Sequence, residues 1–351
     1  HWSAPVVTTP VGDNTSFFYN PFRGKWCMSI RRGWPVRLRH YCEADGFLQG
    51  ATWDPARDEV VWQRTDRRDA PDPDRPTHRV ALYDLNVTPY ESLMLGIFAI
   101  FRGPENDVCM REGMPKMIDL ELGYSRDGFH FARPDRTPFL AASRHEGDWN
   151  RAYLHAAGGG CCIVGDRLFF YFGAFSGVSP RLGPGECGHP GRSRYSMYAG
   201  ASTGLATLRR DGFAAMEAGS GGGCLTTRPV RFAGERLFVN AITADGELRV
   251  AVLDRHGRPL PGLEASSCIP VQADGTCMAV TWQSEATLAA LAGEPVRFRF
   301  HLRAGKLYAF WVTDDPDGAS YGYVAAGGPG FKEGKDLPGT VPSVDRTHNR
   351  S

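Results

Sequence analysis

Acidic residues recur at the openings of three similar segments of this sequence: Asp13, Asp84, and the pair Glu146 and Asp148 each precede a short strand-like run, with Glu91 just after the second of these runs. Carboxylates repeated at one point of a repeat can be delivered together to one place, and they are the residue type of general acid–base chemistry. Other chemistries are poorly supplied. The nine cysteines, Cys27, Cys42, Cys109, Cys161, Cys162, Cys187, Cys224, Cys268 and Cys277, form no CxxC pair and no metal-ligand spacing, and most read as buried thiols in apolar runs. Cys187 and His189 stand close together in a Gly- and Pro-rich loop, but two ligands do not make a metal site, so neither a metal nor another cofactor is expected. The glycine runs Gly158–Gly160 and Gly219 to Gly223 lack the strand–turn–helix context and the Lys-Ser/Thr that cradle phosphates, which argues against nucleotide binding.

The elements that would position the acids follow a repeat. Each segment opens with an acid, passes a short strand, turns into a hydrophobic, aromatic-rich strand, and ends a third strand near an Asp-Gly-Phe turn. The first runs from Asp13 through Ser16–Tyr19, the turn Asn20-Pro21-Phe22-Arg23-Gly24-Lys25 and the strand Trp26–Ile30 to Asp45-Gly46-Phe47. The second runs from Asp84 through Leu93–Phe101 and Ile118–Ser125 to Asp127-Gly128-Phe129. The third runs from Glu146 and Asp148 through Cys161–Val164, Leu168–Phe172 and Thr203–Leu208 to Asp211-Gly212-Phe213. Such a period predicts successive four-stranded sheets of a propeller, with Asp-Gly supplying positive φ at equivalent corners. His1-Trp2 aligns with His130-Phe131 of the second copy, which predicts that the chain begins inside a blade and that the first blade is truncated.

From Cys224 onward the pattern changes to hairpins. Strands are expected at Leu237–Ala241, Leu248–Leu253, Ala279–Trp282, Val296–Leu302 and Leu307–Val312, with turns at Asp245-Gly246, His256-Gly257, Asp274-Gly275 and Ala304-Gly305 and one short helix within Ser284–Leu291. The expected fold is therefore all-β: a β-propeller over 1–223, a β-sandwich over 224–326 and a flexible tail over 327–351. Forty basic residues balance 39 acidic ones, so charge calls for neither nucleic acid nor an anionic membrane. The apolar stretches are too short to span a bilayer, which takes about 20 residues.

The acid-opened segments, the Asn-Pro-Phe-Arg-Gly-Lys-Trp turn at 20–26, the Ser-Arg-Asp-Gly-Phe-His-Phe run at 125–131 and the closing sandwich together resemble the five-bladed propeller glycoside hydrolases of the invertase/levanase and arabinanase/β-xylosidase kinds. The Asn-Asp-Pro-Asn-Gly, Arg-Asp-Pro and Glu-Cys signatures of invertases do not occur. The resemblance implies a carbohydrate substrate, and with it a periplasmic or secreted location. It also implies carboxylates from different blades meeting at one mouth of the channel as base or nucleophile, stabiliser and acid, which is what cleavage of a glycosidic bond requires. Carried onto this chain, these are Asp13, Asp84 and Glu146 or Asp148, with Glu91 a further candidate; a solvated turn acid or a strand-end cap is the alternative for each. Trp34, Tyr90 and Trp149 are then candidate sugar-stacking faces, and Arg31, Arg32 and His155 candidate hydrogen-bonding groups. A sialidase is one rival reading, since 125–131 is close to an Asp-box lacking one residue. A propeller that binds glycans or a protein partner without catalysis is another.

Overall fold

The computed structural model of the chain describes residues 3–34, 36–112, 114–179, 183–184 and 199–340. Its described elements are antiparallel β-sheets with only short helical turns between them, and the chain forms two compact units. The first takes in the chain as far as Cys162 together with Phe169–Ala206 and Tyr323–Ala326; the second takes in Ile163–Leu168, Thr207–Gly322 and the chain from Gly327.

In the first unit β1 (Ser16–Asn20), β2 (Lys25–Arg32), β3 (Leu38–Ala44) and β4 (Val60–Gln63) form a four-stranded meander in sequence order. A second sheet holds β5 (Ala81–Glu91), β6 (Leu93–Phe101) and β7 (Ile118–Ser125), with Tyr323–Val324 paired to the end of β5. The chain after β7 doubles back beside it through bridges at Ala132 and Leu140. A third sheet orders β8 (Ala152–Ala156), β10 (Arg167–Phe175) and Ala201–Arg209, with β9 (Cys162–Val164) also on β10. Side-chain period sets these strands: along β10 Leu168, Phe170, Phe172 and Ala174 are buried while the residues between them are not. The near-continuous apolar run of β6 is buried from Met94 to Phe101, as a strand covered on both faces must be. Phe18, Cys27 and Tyr41 of the first sheet and Leu82, Leu85, Met94 and Phe98 of the second close one core, with Trp62, Phe129 and Phe131 packed against it.

The Asp-Gly-Phe turns do follow the third main strand of each sheet, yet they are not conformational equivalents. Only Gly128 has positive φ (76°); at 211–213 it is Asp211 that takes it (56°), and Asp45-Gly46 has none. The second turn is held by its own side chains: Asp127 Oδ1 accepts from the N–H groups of Phe129 and His130, and Ser125 Oγ from that of Gly128. It then docks on the first sheet, where fully buried Asn20 donates through Nδ2 to Asp127 O at 2.7 Å and Trp62 Nε1 donates to Phe129 O at 2.6 Å. Two runs that stood out in the sequence thus meet as one clasp. A Cβ on Gly128 would lie 2.3 Å from Asn20 Nδ2, whereas one on Gly24, also at positive φ, meets nothing within 4 Å. Gly128→Ala is therefore expected to lose about 2–4 kcal/mol and Gly24→Ala about 1 kcal/mol, from strain plus a lost buried hydrogen bond in the first case and strain alone in the second. Equal urea midpoints for the two variants would refute the clasp.

In the second unit one sheet orders Met216–Ala218, Gly305–Thr313, Arg236–Ile242 and Asp274–Val280, and the other Gly223–Thr226, Arg297–Arg303 and Glu247–Leu253. Alternation is clean in Arg297–Arg303, which buries Phe298, Phe300 and Leu302 and turns its arginines and His301 outward. Those side chains join Leu237, Val239, Val250 and Val252 in a core that both sheets share.

Several expectations are corrected here. The second unit takes in Ile163–Leu168 and the chain from Thr207, ahead of the expected 224: Arg209 donates to Asn240 Oδ1 at 2.7 Å, and Met216–Ala218 is an edge strand of the same sheet. Residues 327–340 are not a loose tail: Asp336 is buried, accepts from Arg210 Nη2 at 2.6 Å, and exchanges backbone hydrogen bonds with Tyr321 and Gly322. Asp274-Gly275 opens a strand instead of a turn, so the strand expected at Ala279–Trp282 ends at Val280, and the short helix is one 3-10 turn, Leu288–Leu291, capped by Thr287. His1, Trp2, Cys187, His189 and the chain after 340 lie outside the described residues; residues 3–12 carry no strand, and Thr9 hydrogen-bonds Ala51 and Trp53.

Candidate active site

At one end of the first unit, three sheets contribute to a cluster of charged and aromatic side chains. Asp84 does not open its segment; it is the fourth residue of β5, next to a break in register between Leu82 and Asp84 against β6. The extra residue, Tyr83, makes this a bulge, the device that re-aims side chains at the ends of sheets. Asp84 is buried and its oxygens are held by Arg39 Nη2 at 2.9 Å, Leu85 N at 2.7 Å and Asn86 Nδ2 at 2.7 Å. Arg39 of β3 is wholly buried and donates also to the Tyr83 and Asn14 carbonyls.

Asp13 lies before β1 with its carboxylate 62% exposed, 3.2 Å from Arg31 Nε at the end of β2. From the third sheet β8 brings Tyr153 and His155. Tyr153 sits at φ 53°, a left-handed conformation costly for an aromatic residue, and its hydroxyl is 2.8 Å from that of Tyr83. The His155 ring lies 4.4 Å from that of Tyr153 and 5.8 Å from that of Tyr83. Burial lowers the pKa of His155, opposed by the negative charges of Asp84 and Asp13, so the imidazole is neutral at pH 7. The same two carboxylates act on Arg39, whose pKa burial lowers to about 10. Asp13 and Asp84, from different sheets, thus share one electrostatic neighbourhood.

Two more cations enter it. The Arg37 guanidinium, at the start of β3, lies 5.1 Å from the Tyr83 ring, 5.2 Å from Phe101 and 5.8 Å from the exposed Trp34. The Lys116 ammonium, just before β7, lies 5.9 Å from Tyr83 and 5.3 Å from Phe101. Arg37 is 5% and Lys116 1% exposed. Burial and then the Arg37 charge push Lys116 down to about 8.

The other residues named from the sequence lie differently. Glu91 and Tyr90 end β5, seven and six residues from Asp84, so Glu91 is about 23 Å away along the strand at ~3.3 Å per residue and cannot serve the same bond. Tyr90 is a core residue, 3% exposed, so it offers no stacking face. Arg32 faces away from Arg31 and pairs with Glu59, as adjacent strand residues must diverge. Glu146 is exposed and Asp148 half-buried on the turn leading to β8. Trp149, beside them, packs on Phe172 at 5.8 Å over Gly204, where a Cβ would come 2.4 Å from its ring. Among the described residues no group of three or more His, Cys, Asp or Glu side chains is arranged to hold a metal.

Arg37, Arg39, Tyr83, Lys116 and Tyr153 were not singled out from the sequence. Lys116 carried a signal: it is one of five lysines in the chain and stands between Met114-Pro115 and Met117-Ile118. The alternation Arg37-Leu38-Arg39 carried another, since two arginines on one face of a strand need a polar destination.

No protein-family model matches the chain, and no curated protein matches it in sequence. Among solved structures it is similar to a glycoside hydrolase family 43 arabinoxylan arabinofuranohydrolase from Bacillus subtilis, determined in complex with cellotetraose, at a TM-score of 0.28 and 9% identity. That alignment covers 85% of this chain and 66% of the other.

Proposed function

We propose that this chain is a glycoside hydrolase whose first unit is built from propeller blades and whose second unit is a β-sandwich, with Asp13 as the carboxylate that meets the anomeric side of the substrate. The observation that carries the reading is that Asp13, just ahead of the first sheet, and Asp84, in the second, both act on the half-buried His155 of a third. Hydrolysis of a glycosidic bond asks for a carboxylate open to substrate or water, a fixed charge to hold the developing oxocarbenium ion, and a proton donor for the leaving oxygen. Asp13 is open, and among the described residues its ion pair is with Arg31. Asp84, pinned by Arg39 and two further donors, suits the fixed charge. The proton donor is drawn from Glu146 and Asp148, on the turn that leads into the strand carrying Tyr153 and His155. Neutral His155 and the Tyr83–Tyr153 hydroxyl pair are set to hydrogen-bond sugar hydroxyls, and exposed Trp34 offers an apolar sugar face a ring to pack on.

The test is release of reducing ends by the purified chain from a panel of aryl glycosides and oligosaccharides, pyranosides and furanosides, neutral and acidic. Turnover of any member that is lost in Asp13→Asn supports the reading. Glycan binding without turnover across the panel would replace it with a binding module, and neither binding nor turnover would end both.

A further inference from the structure

Pairing within the cluster leaves a surplus of positive charge. Arg31 faces Asp13 and Arg39 faces Asp84, but among the described residues Arg37 and Lys116 make no ion pair, and Arg37 Nε and Nη1 are buried without a hydrogen-bond partner. The ring faces of Tyr83 and Phe101 offset part of the burial, yet a cation–π contact is a small return against the cost of removing a charge from water. Two like charges at the same pair of rings also repel. A fold that keeps both has a use for them, and the missing component is an anion.

We infer that Arg37 and Lys116 form a subsite for an oxyanion carried by a sugar, the carboxylate of a uronic acid or a sulfate ester, beside Asp13 and Asp84. The inference deepens the glycoside hydrolase reading by naming its substrate class, and rests on that reading for the sugar. Trp34, exposed and in contact range of Arg37, marks the side from which a pyranose ring would bring its acidic group down onto the guanidinium. Charge-assisted hydrogen bonds to an oxyanion would then satisfy the open Arg37 nitrogens.

Binding should weaken as pH rises through about 8, where the ammonium of Lys116 loses its proton. The charged and titratable groups facing it are Arg37, Cys109, Glu105, Asp13 and the ring of Tyr83; burial pushes the Cys109 thiol up to about 12, clear of that range.

The experiment is titration calorimetry of the whole chain with D-glucuronate, D-galacturonate, glucose 6-sulfate, glucose and inorganic sulfate. At least one acidic sugar should bind at least tenfold tighter than glucose, and Arg37→Met and Lys116→Met should each remove that margin. Because both variants delete a buried unmatched charge, they should melt no lower than the parent, so lost binding would not reflect lost folding. Whichever of the uronates and the sulfate ester gains the margin identifies the oxyanion. Equal affinity for glucose and the acidic sugars, undiminished binding in both variants, or inorganic sulfate binding as tightly as any sugar would overturn the inference. Acidic sugars bound but no glycoside cleaved would leave the subsite standing and remove hydrolysis; neutral glycosides cleaved with no preference for acidic ones would do the reverse.

Discussion

Asp13→Asn is expected to reduce kcat on any glycoside the chain cleaves by at least about 10²-fold with no change in melting temperature, because under the proposed function it removes the reacting carboxylate without disturbing packing. The side chain is 62% exposed, and among the described residues its ionic partner is the 22%-exposed Arg31, so an isosteric amide, which can still accept a hydrogen bond from it, leaves the folded state nearly as stable as before. Asp84→Asn separates itself from this by a second loss. It leaves the wholly buried Arg39 guanidinium facing an uncharged amide, and breaking a buried pair in this way costs about 3–5 kcal/mol. Activity lost alone at Asp13, and activity lost together with stability at Asp84, is the pattern expected of an open reacting group and a pinned fixed charge. Full activity in Asp13→Asn across the panel would make that residue an ordinary turn acid.

Much of the architecture was written in periodicity. The strands at Ser16–Asn20, Leu93–Phe101, Ile118–Ser125 and Arg297–Arg303 fall where apolar runs and alternation put them, because a side chain's face in a strand depends only on its parity. The Asp-Gly-Phe triplets marked the ends of third strands, but not one shared geometry, since positive φ falls on Gly128 in one turn and Asp211 in another. The site was legible only in part. Asp13 pairs with Arg31, the charges of Asp13 and Asp84 both act on His155, and Trp34 lies beside Arg37, while Glu91 and Tyr90 fall at the far end of β5. What hid this was length: a short inner strand expected to open at Asp84 is instead an 11-residue strand that starts at Ala81 and bulges at Tyr83. A bulge leaves no mark in a single sequence, and neither does the left-handed turn of Tyr153. Arg37 and Lys116 went unnoticed because a buried charge looks like a surface charge until its surroundings are known.

The second large effect lies away from the site, in a buried ionic lattice under β7. Arg133 donates to Asp69 at 2.8 Å through both terminal nitrogens and to Glu121 at 3.0 Å, with its guanidinium 4.9 Å over the Phe98 ring. Arg102 bridges Asp119 at 2.8 Å and Glu121 at 2.9 Å, while Arg144 and Arg136 close the ends on Asp119 and Asp69. The side chains of Asp69, Asp119 and Glu121 are fully buried, so the lattice joins β7 to the segments at 66–72 and 133–144. Arg133→Met keeps the volume over Phe98 but leaves Asp69 and Glu121 sharing fewer cations, and is expected to cost about 3–5 kcal/mol in urea unfolding. A loss under about 1 kcal/mol would mean that Arg136 and Arg102 carry the lattice alone.

The two acids that Arg133 grips differ in sign. Burial works to raise Asp69, but hydrogen bonds from Arg133, the Asp66 backbone and Arg136 win and hold it below its ordinary value. Its contribution is therefore present above pH 3.8 and is lost as pH falls through the depressed value. Glu121 is raised by burial, so the folded chain keeps that proton to higher pH than the unfolded one. Its ionisation costs stability as pH rises through the window above 4.5. Glu121→Gln should consequently gain on the parent as pH climbs through that window, and Asp69→Asn should lose most at neutral pH and least in acid. Urea midpoints taken from about pH 2 to pH 7.5 would read both slopes, and parallel curves for the two variants would show that the lattice does not divide its charge in this way.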